Sequence, residues 1–255
     1  MSSVIENSNA NSAEQADINT QDPANSMRVK VWDFPVRIFH WLLVLSFVGA
    51  YVTNRLGIAY FKYHEWFGYA VIVLVVFRIL WGFFGTYYAR FIAFLRSPIT
   101  TWRYTRDVIS GKVVSVVGHN PLGALMVVLL LLTLLVQAVT GLFANDEIFN
   151  AGALYGYVSN ELSLALTAVH KDLFYWIAGA VALHIFAVFL HFAVKRENLV
   201  SAMFTGYKQL SKASEQMVEI KSSRTWLAFL LVALVAVTLT VIVVTAPHAS
   251  LSFDY

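Results

Sequence analysis

Three histidines stand on one apolar run, Thr167 to Arg196: His170, His184 and His191. No Asp, Glu, Lys or Arg occurs between Asp172 and Lys195. An ionisable group inside such a run is costly in lipid and faces the interior of a bundle. His170 and His184 are 14 residues apart. At about 100° per residue this offset returns both to nearly one face, about 21 Å apart along the axis. Imidazole binds metals and carries protons near neutral pH, so this one helix presents two such groups at two depths. His40 and His64 lie near the starts of two other apolar runs. Pairing by depth gives His40 with His184 and His64 with His170. Two bis-imidazole clamps inside a helical bundle suit two low-spin electron-transfer haems. All four histidines are therefore expected to be axial ligands of haem iron.

The elements that position them are legible as apolar blocks. The chain has 255 residues, 58% of them hydrophobic and 13% charged, and its mean hydropathy is +0.65. The pattern predicts an all-α integral membrane protein: a four-helix haem-binding bundle plus a fifth transmembrane helix. The spans are expected at about 35–53, 63–84, 121–141, 167–196 and 225–245, with a loop over 142–166. Ser97-Pro98 and Asn120-Pro121 are cap-and-first-turn pairs, the former opening a short surface helix. Residues 1–27 have no basic start before an apolar run and predict a disordered cytoplasmic tail. The core is expected over 28–208, and a linker with the fifth helix over 209–255. There is no cysteine, which excludes covalent c-type haem, iron–sulfur clusters and disulfides. The net charge of +3 is small, and no nucleic-acid partner is expected. Lys and Arg concentrate around the N-terminal flank (Arg28, Lys30, Arg37), after the second span (Arg90 to Lys112) and after the fourth (Lys195 to Arg224). This asymmetry predicts a cytoplasmic N-terminus.

Arg78 follows His64 by 14 residues and points to the same face at the depth of the inner pair. It is expected to bind a haem propionate, as is Arg37, one turn before His40. A plainer reading of Arg78 is a side chain snorkelling to the surface. Gly49, Gly68, Gly123 and Gly179 suit close approach of a macrocycle or of another helix. His191 shares the stripe of His184, and depth alone leaves the two in competition. His119 sits in a loop and His248 in the tail, both poor ligands by depth.

Val31-Trp32-Asp33-Phe34-Pro35-Val36-Arg37-Ile38-Phe39-His40-Trp41 resembles the opening of the bacterial di-haem cytochrome b-561 family, in particular its nickel–iron hydrogenase b-type cytochrome subunit branch. Gly118-His119-Asn120-Pro121-Leu122-Gly123 and Arg196-Glu197-Asn198-Leu199-Val200 add to the likeness, which covers about 31–208. The resemblance implies two b haems ligated from the first, second and fourth helices. The fourth gives two ligands 14 residues apart, which favours His184 over His191. It also implies a quinone near the cytoplasmic-side haem, with His119, Asn120, Gly123 and His191 as candidate contacts. Asn120 read more simply is a helix cap, and His119 a surface residue.

The expected function is a cytochrome b of a bacterial inner membrane. It would serve as the electron-transfer subunit of a respiratory chain, between the quinone pool and a periplasmic partner. That partner is expected to be a c-type cytochrome or a dehydrogenase or hydrogenase subunit, docking on the outer loops 54–62 and 142–166. One rival is a stand-alone quinone-linked superoxide oxidase, favoured by Arg55, Lys62 or Lys171 close to the outer haem. The other is a haem-free channel or transporter with a histidine proton relay.

Overall fold

The computed structural model describes residues 26–112, 118–195, 197–211, 218, 220 and 222–247. The expected tail lies outside them up to residue 25, as does His248. Five helices are long and apolar enough to cross a membrane. In chain order the elements are strand β1 (Ser26–Lys30), α1 (Phe34–Arg55) and α2 (Phe61–Phe84). The short α3 (Phe91–Phe94) and α4 (Pro98–Ile109) follow. Next come α5 (Pro121–Leu142), α6 (Asn160–Lys195), α7 (Leu199–Thr205), strand β2 (Tyr207–Ser211) and α8 (Thr225–Val244). The spans are α1, α2, α5, α6 and α8.

α2 is the hub. It packs on α1, α5 and α8, while α6 packs chiefly on α5. Its buried residues Val71, Leu74, Val75, Arg78 and Gly82 recur at three- and four-residue intervals, with Phe77 and Trp81 between them. Such a stripe follows one side of a 3.6-residue helix. Trp81, Val75 and Ile177 are fully enclosed. α1 and α6 meet through rings, Tyr51 on Phe174 at 5.3 Å between centroids and 2° between planes.

Asp33 ties α1 to α2. Its Oδ1 accepts from the Val36 backbone N–H at 2.7 Å, capping α1. Its Oδ2 accepts from Trp81 Nε1 at 3.0 Å and Thr86 Oγ1 at 2.5 Å. The residue is only 1% exposed, so all these donors depend on it.

The structure moves the expected start of the fourth span. α6 begins at Asn160, not near 167, so His170 lies ten residues, about 15 Å, inside it. The extra turns hold the preceding loop. Asn145 N–H donates to Thr167 Oγ1 at 2.9 Å, and Ser163 Oγ donates to the Phe143 carbonyl at 2.6 Å. Polar residues with backbone partners extend the helix past its apolar stretch. The expected domain limits at 27/28 and 208/209 both fall within an antiparallel ribbon of β1 and β2. Gly206, at φ +88°, makes that pairing possible: its carbonyl accepts from Val31 and Trp32 N–H at 2.9 and 3.1 Å. The segment before α8 is also tied in, because Lys30 Nζ donates to Ser223 Oγ at 3.2 Å and Arg224 donates to the Phe84 carbonyl at 3.2 Å.

Two outcomes are expected. Asp33→Ala removes a cap, about 1 kcal/mol, and strands the Trp81 and Thr86 donors at about 1–3 kcal/mol each. Its thermal unfolding temperature in detergent should fall well below that of Ser97→Ala, which loses an exposed cap alone. In the outer loop, Asp146 Oδ1 accepts from the backbone of Ile148, Phe149 and Asn150 at 3.0, 2.8 and 2.8 Å. Partial burial alone would raise its pKa. The Asn150, Phe149 and Ile148 backbone bonds, with the Asn150 side chain, outweigh it and bring the value from 3.8 down to about 2. A depressed carboxylate stabilises above its unfolded pKa, so the loop keeps this contribution above about pH 4 and loses it as pH falls through about 2. Amide-exchange protection of residues 148–150, corrected for intrinsic rates, should follow that window and should be lost at neutral pH in Asp146→Ala.

Candidate functional site

His64 is the fourth residue of α2 and His170 is the eleventh of α6. The structure brings their rings together at 6.2 Å between centroids, with planes at 88°. A metal bonded to two imidazoles at about 2 Å each sets their centroids roughly 6 Å apart. Each ring has its Nδ1 on a backbone carbonyl, His64 on Ala50 at 2.8 Å and His170 on Gln137 at 2.7 Å. An Nδ1–H donating to a carbonyl fixes the tautomer and leaves the Nε2 lone pair to a ligand. Gly141 makes room for the His170 ring, since a Cβ there would lie 2.9 Å from Cε1.

α5 thereby enters a site in which it was given no part. The Gln137 carbonyl accepts from His170, the Gln137 side-chain Nε2 stands 3.3 Å from His170 Nε2, and Thr140 Oγ1 stands 3.4 Å from His170 Nδ1. Gln137 Oε1 is buried without a partner. The signal was present in the sequence: Gln137 is an amide within an otherwise apolar span, with a threonine one turn on.

His40 in α1 lies close enough to His184 in α6 to interact with it electrostatically. His40 Nδ1 is buried and unpartnered, as is Nε1 of the adjacent Trp41. Arg78 is 3% exposed. It donates to the Ala89 carbonyl at 3.2 Å and lies 5.6 and 5.9 Å from the Phe91 and Phe94 ring centroids. It does not snorkel out. No carboxylate lies in salt-bridge range of it among the described residues, a costly state for a buried cation. Unpartnered buried donors and a guanidinium held inside suit an anionic, planar group between the helices, so these residues fit a haem with carboxylate substituents.

Arg37, expected at a haem propionate, reaches the end of α7. Its Nη1 donates to the Phe204 carbonyl there, beside Trp41 stacked on Phe204 at 4.4 Å. Its Nε remains buried without a partner.

The four residues expected near a quinone have different partners. His119 is not a surface residue: its ring packs against Trp32 at 4.5 Å and Phe94 at 4.7 Å, and its Nδ1 is sealed from solvent. Desolvation, then the charge of Arg78 and the neighbouring His184, push its pKa down to about 3. It is a neutral imidazole within electrostatic reach of His184. Asn120 caps α5, its Oδ1 accepting from Gly123 N–H at 2.8 Å. His191 Nε2 meets Glu197 Oε2 at 2.9 Å, and Lys208 Nζ meets the same oxygen at 3.0 Å. Burial alone would raise the Glu197 pKa, but His191 and Lys208 hold it low. That engagement separates His191 from His184, which alone of the two acts on His40. Of the glycines, Gly49 admits the Phe67 ring, while Gly68 and Gly179 border open space.

Among the described residues no three or more His, Cys, Asp or Glu side chains converge on a point. The chain is similar to the probable Ni/Fe-hydrogenase B-type cytochrome subunit of Rhizobium leguminosarum bv. viciae, 25% identical over 226 residues, covering 75% of this chain and 93% of that one. It is similar to its Rhodobacter capsulatus counterpart at 25% over 232 residues, covering 74% and 86%. The Cupriavidus necator counterpart is 24% identical over 216 residues, covering 70% and 86%. No solved structure matches with significance. The family model for prokaryotic cytochrome b561 matches residues 31–206, from the end of β1 to the glycine before β2, with all four histidine-bearing or histidine-cradling spans inside. This chain thus belongs to the prokaryotic cytochrome b561 family, and is a multi-pass membrane cytochrome that transfers electrons through b-type haem.

Proposed function

We propose that this cytochrome carries two b haems and passes electrons across a bacterial inner membrane between the quinone pool and a periplasmic partner. His64 and His170 would hold the outer haem, and His40 and His184 the inner one. Arg78 would neutralise a propionate of the inner haem. The observation that carries the reading is the His64–His170 pair: facing rings 6.2 Å apart, each with Nδ1 anchored on a carbonyl. The haems supply one-electron chemistry. The chain holds the ligands at fixed angles, keeps water out of the apolar bundle and neutralises buried charge.

The Lys and Arg distribution supports a cytoplasmic N-terminus, which puts the inner pair, His119 and the His191–Glu197–Lys208 cluster on the cytoplasmic side. A quinone would meet the protein there. His119 would line the path to the inner pair, Asn120 and Gly123 would frame it from the α5 cap, and His191 would hand on protons. The names of the relatives favour a hydrogenase as the periplasmic partner, ahead of another dehydrogenase or a c-type cytochrome. The outer loops over 54–62 and 143–159 would dock it. A stand-alone superoxide oxidase is the second reading. It is favoured by Lys171, whose charge acts on His170, because a cation beside the outer haem attracts an anionic substrate. The haem-free relay is set aside by membership of a b-type cytochrome family.

Pyridine haemochrome assays on single variants test the ligand set. His40→Ala or His184→Ala should remove one of two b haems and His64→Ala or His170→Ala the other, while His119→Ala and His191→Ala keep both. Loss of a haem in His191→Ala but not in His184→Ala would overturn the inner pair. Near-perpendicular imidazole planes at the outer site should give a highly anisotropic low-spin ferric EPR signal, absent from His64→Ala. Superoxide-driven quinone reduction by the purified protein without a partner would favour the second reading. Its absence, with activity restored by a hydrogenase, would favour the first.

A further inference from the structure

Between the end of α2 and the start of α5 the chain runs along one face of the bundle through α3 and α4. Its exposed side is unlike a water-facing surface. Ile92 is 85% exposed, Trp102 70% and Ile109 80%, with Ile99 between them also open. On a helical wheel with Ile99 at zero, Trp102 and Ile109 fall at about 300° and 280°, Arg106 at about 340° and Arg103 at about 40°. Thr101, at about 200°, is the buried contact. Apolar and cationic side chains therefore share one face. Exposing an isoleucine or tryptophan to water forgoes the gain from burying it, and here several are open side by side.

The charges are equally uncompensated. Residues 90–112 hold five basic residues and one acid, Asp107, and that acid is taken by Lys112 at 3.2 Å. The guanidinium groups of Arg96, Arg103 and Arg106 are exposed and make no hydrogen bond or ion pair with the described residues. A short helix tethered between two span ends lies at the level of the lipid headgroups. A stripe of Ile and Trp edged by Arg is the composition of a helix that lies in that interface.

We propose that α4, with Ile92 and Arg96 ahead of it, is an interfacial anchor that binds anionic phospholipid. Ile99, Trp102 and Ile109 enter the acyl boundary, while Arg96, Arg103 and Arg106 hold the phosphate and headgroup charge. Charge complementarity selects an anionic lipid over a zwitterionic one, and continuity with the lipid-facing sides of the adjoining spans selects a membrane over a soluble protein. The proposal does not depend on haem ligation or on which side of the membrane the N-terminus occupies.

Because the chain has no cysteine, single-cysteine variants of the full-length protein report depth directly. In nanodiscs of phosphatidylcholine doped with phosphatidylglycerol, nitroxides at Ile99→Cys and Ile109→Cys should collide with oxygen and be shielded from a water-soluble relaxant. Thr100→Cys, exposed on another side, should show the reverse. Native mass spectrometry should find that each arginine changed to glutamine among Arg96, Arg103 and Arg106 lowers the preference for phosphatidylglycerol by roughly fivefold at low salt. Unchanged haem absorbance would serve as the folding control. Nitroxides at 99 and 109 as open to the relaxant as the one at 100 would mean that the stripe faces water and a soluble acidic partner, and would overturn the proposal. So would a triple glutamine variant that retains phosphatidylglycerol as well as the parent.

Discussion

A polar atom enclosed among apolar helices has to be met by another polar atom, and the architecture follows from how that demand is satisfied. Asp33 is the clearest case. One buried carboxylate caps α1, receives the Trp81 indole from α2 and receives the Thr86 hydroxyl beyond it. It fixes the rotation of α1 against the hub helix. α1 also carries His40, seven residues on, and the Ala50 carbonyl that holds His64 Nδ1 at 2.8 Å. The same demand explains the unused capacity at the inner pair. Arg78 has one carbonyl and two aromatic rings but no salt-bridged carboxylate, and His40 and His119 each keep a buried unpartnered nitrogen. A bundle that buries these groups is arranged for an anionic cofactor.

The two pairs differ in how they are held. The outer imidazoles are each tied by Nδ1 to a carbonyl of a neighbouring helix, Ala50 in α1 and Gln137 in α5, so ring orientation is set before any metal binds. Four helices thereby contribute to a site whose ligands come from two. Among the described residues the rings of His40 and His184 have no such carbonyl tie. Their surroundings are charge and aromatic packing: His119 within electrostatic reach of both Arg78 and His184, and Trp41, edge-on to His40 at 5.0 Å and stacked on Phe204. Two haem sites with unlike surroundings would have unlike potentials, which is what directional transfer across a membrane needs.

Outside the family core the chain adds a brace. The β1–β2 ribbon joins the start of α1 to the segment after α7, and Arg37, Gly206 and the Glu197–Lys208 pair lock that junction. α8 packs on the hub helix α2, and Arg224 accommodates one of the terminal carbonyls of α2. Residues that read as tail and linker therefore hold together one end of the bundle, the end that carries the inner pair.

Much of this was legible without coordinates. Apolar block length located every span, and every span end except the start of α6 to within a few residues, because crossing a bilayer imposes a minimum run. The 14-residue offset of His170 and His184 placed both on one stripe, because helix geometry is local. The start of α6 was missed, because Ser163 and Thr167 make a polar helix end stable only through their bonds to the loop at Phe143 and Asn145. The ribbon was missed because its strands are nearly two hundred residues apart and each is unremarkable alone. The partners of Arg37 and His119 were not legible for a similar reason: periodicity gives the direction of a side chain on its own helix, but not which carbonyl or ring another segment brings to it. Residue type and spacing thus settled that this is a membrane bundle with imidazoles at two depths. Only tertiary packing decided which nitrogens are anchored, which charges stay unpaired and which helix without a histidine ligand, α5, cradles the ring of another, since these depend on contacts between residues far apart in the chain.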